Sequence, residues 1–353
     1  MTADNELRSM IRDTATRLMK DHMTSTVRQD ADGGNFAGTI WRLLADSGFL
    51  TVEPGGLSYP DALALLEVAG YWGVPLPWAE SLLVTKILTD QGLSAPGGVL
   101  TLGWQWESPA TMARSAEHMT ISGNCRCVPW ARHADVVALL IPDGEDLWIC
   151  LAPRDAFQVE SCENLAGEAA DSVRVEQSRV RDFALSPYSL RWIQAQGALM
   201  RVMAAVGAID RILEMTVTYA KERTQFGRPL AKFQVVQEKL AEMAGESAAL
   251  RAIAERSLAA AEDQLWDEVI KYVAVAKVRL PRAVRVVSTH AHQIHGAIGF
   301  TREYPLHYYT RRLWSYRHEY GSERHWALEM AREMADQDVW DFITGMPKTV
   351  GNS

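Results

Sequence analysis

The sequence predicts an α+β multidomain protein with an N-terminal α-helical domain, a small middle β-barrel domain and a C-terminal antiparallel helical bundle. Apolar residues recur at helical spacing up to about residue 95 and again after residue 187. Between these regions they alternate with a period of two, in short runs separated by Gly, Pro and Asp. The later helical segments are long and joined by short loops, which is typical of a bundle. We therefore expect domains at residues 1–95, 96–186 and 187–353.

Helices are expected in the N-terminal domain at residues 6–24, 36–47, 60–71 and 79–91. The third begins with Pro60 in its first turn, where the missing N–H costs nothing. Glu80 falls in the first turn of the fourth, where the helix dipole favours a negative charge. Residues 30–35 predict a loop, and the Pro-Gly-Gly sequence at residues 54–56 predicts a turn.

Short strands and long helices are expected in the rest of the chain. The strand candidates lie at residues 99–102, 119–122, 135–141, 146–151, 157–159 and 172–175. The bundle helices are expected at about 190–221, 233–262, 264–291 and 323–341. Pro281 lies inside the third of these and is expected to kink or divide it, because proline lacks the N–H that a helix interior needs.

Composition excludes several classes of function. The chain has 353 residues, a net charge of -8 and a pI of about 5.7. A nucleic-acid-binding protein would normally carry a basic excess, so we expect no nucleic-acid partner. No uncharged apolar run reaches the length of about 20 residues that a membrane span needs. The first residues are polar and acidic, unlike a secretory signal, and therefore predict a cytoplasmic protein with reduced cysteines.

The cysteines and histidines do not predict a metal site. Cys125 and Cys127 lie two apart in a strand candidate, which predicts that their side chains share one face. The other two cysteines are too far apart to form the second close pair of a structural zinc site. His290, His292 and His295 fall close together, but no carboxylate or cysteine at suitable spacing completes a ligand set.

A basic and aromatic stretch, Tyr219–Gln234, separates two long helices of the bundle. Gly227 and Pro229 break the helical pattern there. The stretch contains four cations, Lys221, Arg223, Arg228 and Lys232, together with two amides and three aromatic rings. These residue types suit a large anionic ligand that is partly aromatic. The alternative interpretation is a helical hairpin whose turn happens to be basic.

Two motifs in this half of the chain resemble the acyl-CoA dehydrogenase family. The first is Arg-x-x-Phe-Gly-x-x-Leu-x-x-Phe-Gln, which runs from Arg223 to Gln234. The second is similar to Gln-x-x-Gly-Gly-x-Gly-Phe-x-x-Glu-Tyr-Pro and runs from Gln293 to Pro305, with Ala297 in place of the second glycine. Their separation also suits the family, and the resemblance covers nearly the whole chain, most weakly at the N-terminus.

The resemblance implies a flavoenzyme that removes two hydrogens across Cα–Cβ of an acyl-CoA thioester, in the β-oxidation of fatty acids or steroid side chains. In the family, FAD lies between the β domain and the bundle, and electron-transfer flavoprotein is the expected electron acceptor. The site is completed by a homodimer or tetramer mate, or by a second acyl-CoA dehydrogenase subunit. The residues expected to contact FAD are Arg223, Thr224, Gln225, Phe226, Phe233, Gln234, Gln293, Ile294, His295, Gly296, Ala297 and Ser322.

The catalytic base of the family is missing from both positions where it is expected. A carboxylate takes the α proton, usually a Glu before a Gly-Thr pair. Here Gly321-Ser322 aligns with that pair, so Tyr320 occupies the Glu position. Neutral tyrosine is a poor base at pH 7, because its reference pKa is about 10. Glu319, one residue away, is the remaining candidate, and the family's other base position falls near Gly197.

The β domain departs from the family as well. Gln105–Thr111 stands where the family has Thr-Glu-Pro-x-x-Gly-Ser, and Cys127–Pro129 replaces a flavin-contacting Trp-Ile-Thr. The motifs that serve a neighbour's FAD are kept, whereas those that serve the chain's own flavin are degraded. The hypothesis is therefore that this chain is the non-catalytic subunit of a heteromeric acyl-CoA dehydrogenase, and that a partner subunit supplies the catalytic Glu. Two alternatives are a self-sufficient homo-oligomer that uses Glu319 and, without any positive feature, a flavin monooxygenase on the same fold.

Overall fold

The computed structural model describes residues 3–52, 56–115 and 117–335, and it confirms the predicted order of helices, then strands, then helices. The N-terminal helices are α1 (Ala3–His22), α2 (Ser25–Asp32), α3 (Gly38–Asp46), α4 (Tyr59–Trp72) and α5 (Trp78–Thr89). Ser58 caps α4 by accepting a hydrogen bond from the backbone N–H of Asp61, and Pro60 lies in the first turn as expected. Most of the predicted turn at residues 54–56 lies outside the described residues.

Helix α2 occupies the first part of the predicted loop at residues 30–35, so that prediction was wrong there. The Thr24 side chain accepts a hydrogen bond from the Val27 N–H and caps the helix. The helix continues to Asp32, and the backbone N–H of Gly33 donates to carbonyl oxygens of its last turn. The loop signal came from an Asp and Gly cluster, but only the glycines end the helix.

The strands lie in two sheets. They are β1 (Leu100–Gly103), β2 (Gln105–Trp106), β3 (Thr111–Arg114), β4 (Met119–Pro129), β5 (Val136–Asp143), β6 (Asp146–Pro153), β7 (Gln158–Glu160), β8 (Ala170–Val180) and β9 (Phe183–Leu185). One sheet has the order β1-β5-β6-β9, and the other has the order β2-β4-β8-β7 with β3 also paired to β4. Strands β1 and β5 are parallel, whereas β5 and β6, and β4 and β8, are antiparallel.

The two cysteines of β4 do not share a face, which corrects the prediction. The register between β4 and β8 shifts between Cys125 and Val128, and such a bulge breaks the alternation of side chains. Cys125 is buried, whereas Cys127 is exposed and has a left-handed φ of 54°. The bulge therefore turns Cys127 away from the core. In the described residues no group of three or more His, Cys, Asp and Glu side chains could hold a metal ion.

The C-terminal region is a bundle of long helices. It contains α6 (Leu190–Glu222), the short strands β10 (Thr224–Gln225) and β11 (Arg228–Pro229), then α7 (Gln234–Glu262), α8 (Trp266–His295), α9 (Leu306–Tyr316) and α10 (Glu323–Ala335). Pro281 does not divide α8, which runs through it. Helix α9 was not predicted, and the predicted extension of α10 beyond residue 335 lies outside the described residues. None of the described helices is both long and apolar enough to cross a membrane.

One hydrophobic core extends through all these regions, and α4 crosses α6 at two glycines. A Cβ added to Gly70 would lie 1.8 Å from the Ala204 carbonyl oxygen, and one added to Gly207 would lie 1.9 Å from the Glu67 carbonyl oxygen. Both crossings are therefore backbone-to-backbone contacts that only glycine permits. This close packing fixes the N-terminal helices against the bundle and so fixes the residues that α5 and α6 contribute to the cavity described below.

Candidate active site and nucleotide-binding surface

The basic stretch between α6 and α7 forms a tight β-hairpin. Thr224 pairs with Pro229 and Gln225 with Arg228, which leaves Phe226 and Gly227 as the two turn residues. Their φ angles are 49° and 79°, the left-handed conformations of a two-residue hairpin turn. The Phe226 side chain is 91% exposed. The turn thus presents an aromatic ring to solvent, at an energetic cost that folding alone does not explain.

Cationic side chains surround this turn. The Arg228 guanidinium lies 4.2 Å from the centre of the Phe233 ring, a cation–π arrangement. Phe226 contacts the same ring edge-on, with 6.3 Å between centroids. Arg223 is exposed at the end of α6, and within the described residues no carboxylate pairs with its guanidinium. The surface can therefore bind an anionic ligand without breaking an internal ion pair.

The structure brings the two sequence motifs together at one end of the bundle. The Tyr219 hydroxyl donates to the His295 carbonyl oxygen over 3.3 Å, and the two rings stack with 4.5 Å between centroids. The Lys239 ammonium donates to the Gln293 side-chain oxygen over 2.6 Å. That bond uses the amide oxygen, so the NH₂ group is what Gln293 can offer to a ligand. Gln234 is also exposed and donates to Glu238 over 3.0 Å.

The glycine segment offers backbone rather than side chains. Gly296 has φ 62° and ψ −140°, a conformation that only glycine adopts readily, and nothing lies within 4 Å of a Cβ built there. The Ile294 and His295 side chains are buried, and the His295 ring bonds to the Ala291 carbonyl oxygen and the Tyr304 hydroxyl. Of the expected contacts, Ile294 and His295 can therefore contribute only backbone groups, whereas Ala297 is exposed.

Ser322 lies elsewhere, in the loop that precedes α10. Its hydroxyl accepts a hydrogen bond from the His325 N–H over 3.4 Å, so it helps to start that helix. It borders a small concavity together with Arg317 and Arg324. The structure therefore separates Ser322 from the hairpin surface, although it is next to the residues expected to carry the base.

A cavity of about 770 Å³ lies between the β sheets and the bundle. The β side contributes Trp104, Gln105, Cys127 and Pro129, which include positions where the family contacts its own flavin. The helical side contributes Glu80, Arg201, Tyr316, Glu319 and Tyr320. The departures at Gln105, Cys127, Pro129 and Tyr320 therefore line one cavity.

The two expected base positions are in direct contact. A Cβ added to Gly197 would lie 2.2 Å from the Tyr320 ring, so α6 approaches the ring at a glycine. The Tyr320 ring also stacks on the Trp104 ring, with 5.7 Å between centroids and 13° between planes. The Tyr320 hydroxyl donates to Glu80 over 3.1 Å. Burial, followed by the charge of Glu80, raises the pKa of Tyr320 well above its usual value, so the phenol is neutral near pH 7.

Glu319 is held in an ion network and is not poised to accept a proton. Arg201 pairs with both Glu80 and Glu319, and the Ser315 hydroxyl donates to Glu319 over 2.6 Å. Burial alone raises the pKa of Glu319, but the charges of Arg201 and Lys277 and the hydrogen bonds from Ser315 and Arg201 together lower it below its usual value. A carboxylate with a lowered pKa is a weaker base.

Lys277 anchors the backbone beneath this network. It is fully buried, and its ammonium donates to the carbonyl oxygens of Tyr316 and Glu319, both over 2.7 Å. Burial lowers the pKa of Lys277 to about 7, with the nearby Glu319 raising it and Arg201 lowering it. The loop between α9 and α10 is thus attached to α8 at the residues next to Tyr320.

Sequence reasoning missed Arg201, Lys277 and Trp104. A usable signal existed for the two cations, because each is a single charge inside an apolar helical run, Ala198–Val206 for Arg201 and Val273–Val278 for Lys277. A charge at such a position must find a partner when it is buried. No comparable signal existed for Trp104, whose role depends on the approach of a loop far away in sequence.

Several known proteins are similar to this chain in sequence. A profile described as "Acyl-CoA dehydrogenase, C-terminal domain" matches residues 191–335. Acyl-CoA dehydrogenase IpdE2 of Mycolicibacterium smegmatis is 26% identical over 87% of this chain and 92% of its own length. The protein of the same name from Mycobacterium tuberculosis is 24% identical over 95% of this chain and 98% of its own length.

Solved structures share the whole fold. The ChsE4-ChsE5 complex from Mycobacterium tuberculosis superposes with a TM-score of 0.85 at 19% identity, covering 96% of this chain and 99% of the matched chain. The Tcur3481-Tcur3483 steroid ACAD gives a TM-score of 0.83 at 24% identity, covering 94% and 98%. At these identities the likeness is one of fold.

The sequence matches and the shared fold agree on one class: the chain is similar to acyl-CoA dehydrogenases along most of its length. More narrowly, residues 191–335 match the C-terminal domain of acyl-CoA dehydrogenases, the family that the two motifs resemble.

Proposed function

We propose that this chain is the non-catalytic subunit of a heteromeric acyl-CoA dehydrogenase. It binds the pyrophosphate and adenosine end of an FAD held mainly by a partner subunit, and that partner carries the catalytic glutamate. The observation that carries the proposal is a contrast within one chain. The surface formed by the hairpin after α6 and the segment from Gln293, which we call the nucleotide surface, presents an exposed Arg223 and an exposed Phe226. The base position instead holds the neutral phenol of Tyr320.

The nucleotide surface fits the anionic, aromatic end of FAD. A guanidinium such as that of Arg223 binds phosphate oxygens through parallel N–H donors. The exposed Phe226 ring offers an apolar face to a purine. Open space at Gly296 lets a pyrophosphate approach the backbone closely. Bound FAD would accept the β hydrogen of the acyl group as hydride, so the task of these residues is to hold and orient the cofactor.

The chain's own cavity fits FAD and substrate poorly. Its lining includes six glutamates, Glu80, Glu107, Glu160, Glu163, Glu168 and Glu319. The two arginines of the described lining are already paired, Arg126 with Glu107 and Arg201 with Glu80 and Glu319. Glu168 is paired as well, with Arg312, so no arginine of the described lining is free to bind the phosphates of FAD. With Glu319 committed to Arg201, the geometry gives no support to a self-sufficient homo-oligomer that uses Glu319 as base.

The relatives support the same assignment of partner and substrate class. Two of the similar structures are named for pairs of proteins, ChsE4-ChsE5 and Tcur3481-Tcur3483, and the second pair is a steroid ACAD. We extend this to the present chain: its partner is a second acyl-CoA dehydrogenase subunit, its substrate is a fatty or steroid side-chain acyl-CoA, and electron-transfer flavoprotein in the cytoplasm reoxidises the flavin.

The test is the FAD content of the purified protein, measured by absorbance after release. The chain alone is expected to contain no FAD, and its complex with a co-expressed subunit that has the glutamate is expected to contain one FAD per pair of chains. Arg223→Ala is expected to remove most of the FAD from the complex. Arg42→Ala, which changes an exposed arginine on α3, should leave the content unchanged. One tightly bound FAD per chain, with dehydrogenase activity in the chain alone, would refute the proposal.

A further inference from the structure

We infer that Tyr320 closes this chain's own acyl-binding cleft, so that the chain itself binds no acyl-CoA. This inference rests on the proposed function, in which the partner's cleft holds the substrate. It goes further because it identifies one side chain as the closing element. It also predicts a difference in ligand count that the loss of a base alone does not predict.

The ring lies between the β side and α6 and forms part of the wall of the cavity. Trp104, in the turn between β1 and β2, stacks on it nearly in parallel, with 5.7 Å between centroids and 13° between planes. The α6 backbone presses on it at Gly197, where even a methyl group would lie 2.2 Å from two ring carbons. An acyl chain placed between the β side and α6 would have to displace the ring.

Tyr320 is held in this place from several directions. Its hydroxyl donates to Glu80 over 3.1 Å, and its carbonyl oxygen accepts from the Trp326 indole N–H over 3.1 Å. Lys277 fixes the preceding carbonyl, that of Glu319, over 2.7 Å. Because α8 and α10 hold the backbone in place, swinging the ring out of the cleft would break the bond to Glu80 of α5 and the stack on Trp104.

The backbone at Tyr320 is strained, which supports a specific role for the ring. Its φ is 54°, a left-handed value that is rare for a bulky residue and costs about 1–3 kcal/mol. Two other non-glycine residues with left-handed φ, Cys127 and Trp130, line the same cavity. Strain of this kind persists where the surrounding contacts compensate for it.

The test counts octanoyl-CoA sites by isothermal titration calorimetry. Wild-type chain alone is expected to bind none. Tyr320→Gly removes the ring and relieves the left-handed strain, so it should fold, and we expect the complex with this variant to bind one more octanoyl-CoA per copy of this chain than the wild-type complex does. Tyr320→Phe keeps the ring and loses only the hydroxyl, and should behave as the wild type. Binding to the wild-type chain alone, or no additional site in Tyr320→Gly, would overturn the inference.

A second measurement tests the seating of the ring without any ligand. Gly197→Ala should lower the melting temperature of the wild-type chain sharply, because the new methyl group meets the Tyr320 ring. In a Tyr320→Gly background the same change should have little effect. An equal loss of melting temperature in both backgrounds would contradict the contact between position 197 and the Tyr320 ring. The FAD count of the wild-type complex is independent of both measurements, so a failure of the proposed function is distinguishable from a failure of this inference.

Discussion

Arg201 sets the electrostatics of the cavity wall beside Tyr320, although nothing in the two family motifs points to it. It joins Glu80 of α5 and Glu319 of the loop before α10 from a position on α6. Glu80 is 1% exposed, and a carboxylate so buried requires a partner. The same arginine lies 5.4 Å from the Tyr320 ring centre. The residue that replaces the base and the residue that neutralises its neighbours therefore form one unit.

Arg201→Met should destabilise the chain by about 3–5 kcal/mol, because it leaves two carboxylates without a cation in a largely buried place. Urea unfolding of the chain alone measures the loss. Arg42→Met, at an exposed site on α3, should change the free energy of unfolding by no more than about 0.5 kcal/mol. A loss for Arg201→Met as small as that of the control would mean that the network contributes nothing to stability.

The buried Lys277 should make the free energy of unfolding depend on pH. Its pKa is lowered to about 7 from 10.5, chiefly by burial. Between these values the unfolded chain keeps the proton and the folded chain loses it, so the unfolded state binds more protons and stability must rise with pH. Relative to Lys277→Met, the wild-type free energy of unfolding should rise by about 1.4 kcal/mol per pH unit from pH 7 to 10. Urea titrations at several pH values measure the difference, and a flat difference would contradict the lowered pKa.

At the scale of elements, long periodic helices were predictable and irregular features were not. Helices α6, α7 and α8 follow from apolar spacing, because each buries one continuous side against the others. Helix α9 was missed because its buried residues include polar ones such as Arg312, which hide the apolar pattern. The bulge at Cys127 was missed because the alternation of side chains in the sequence gives no sign of a register shift.

The crossing of α4 and α6 gives a prediction at this scale. Gly207→Ala would put a methyl group 1.9 Å from the Glu67 carbonyl oxygen, and neither helix backbone can yield easily, so we expect a loss of about 3 kcal/mol. Gly245→Ala on α7 is the matched control, since nothing lies within 4 Å of the added Cβ. It should stabilise the chain by about 0.5–1 kcal/mol through helix propensity. Similar thermal shifts for the two variants would show that the crossing tolerates a side chain.

At the scale of the whole molecule, the parts of the site that the sequence predicted are those contained in short segments. The hairpin from Arg223 and the segment from Gln293 are local motifs, and the ends of adjacent bundle helices bring them together. The Arg201 network instead joins residues 80, 201 and 319, and the Tyr320 stack joins residues 104, 197 and 320. Only the folded chain defines such sites, because no local pattern encodes a contact between three distant segments.

The exposed hairpin gives the prediction that distinguishes an assembly surface from a folding element. The Phe226 ring contributes little to the chain alone, since it is 91% exposed, so Phe226→Ala should change the free energy of unfolding by less than about 0.5 kcal/mol. In the complex with the partner subunit, the lost ring contact should weaken FAD binding about tenfold, or by about 1.4 kcal/mol. Leu7→Ala removes another exposed apolar side chain, 53% exposed on α1, and should affect neither quantity. Equal FAD retention in the two variants, measured by flavin fluorescence after dilution, would show that the hairpin faces solvent in the assembly and would remove it from the proposed FAD site.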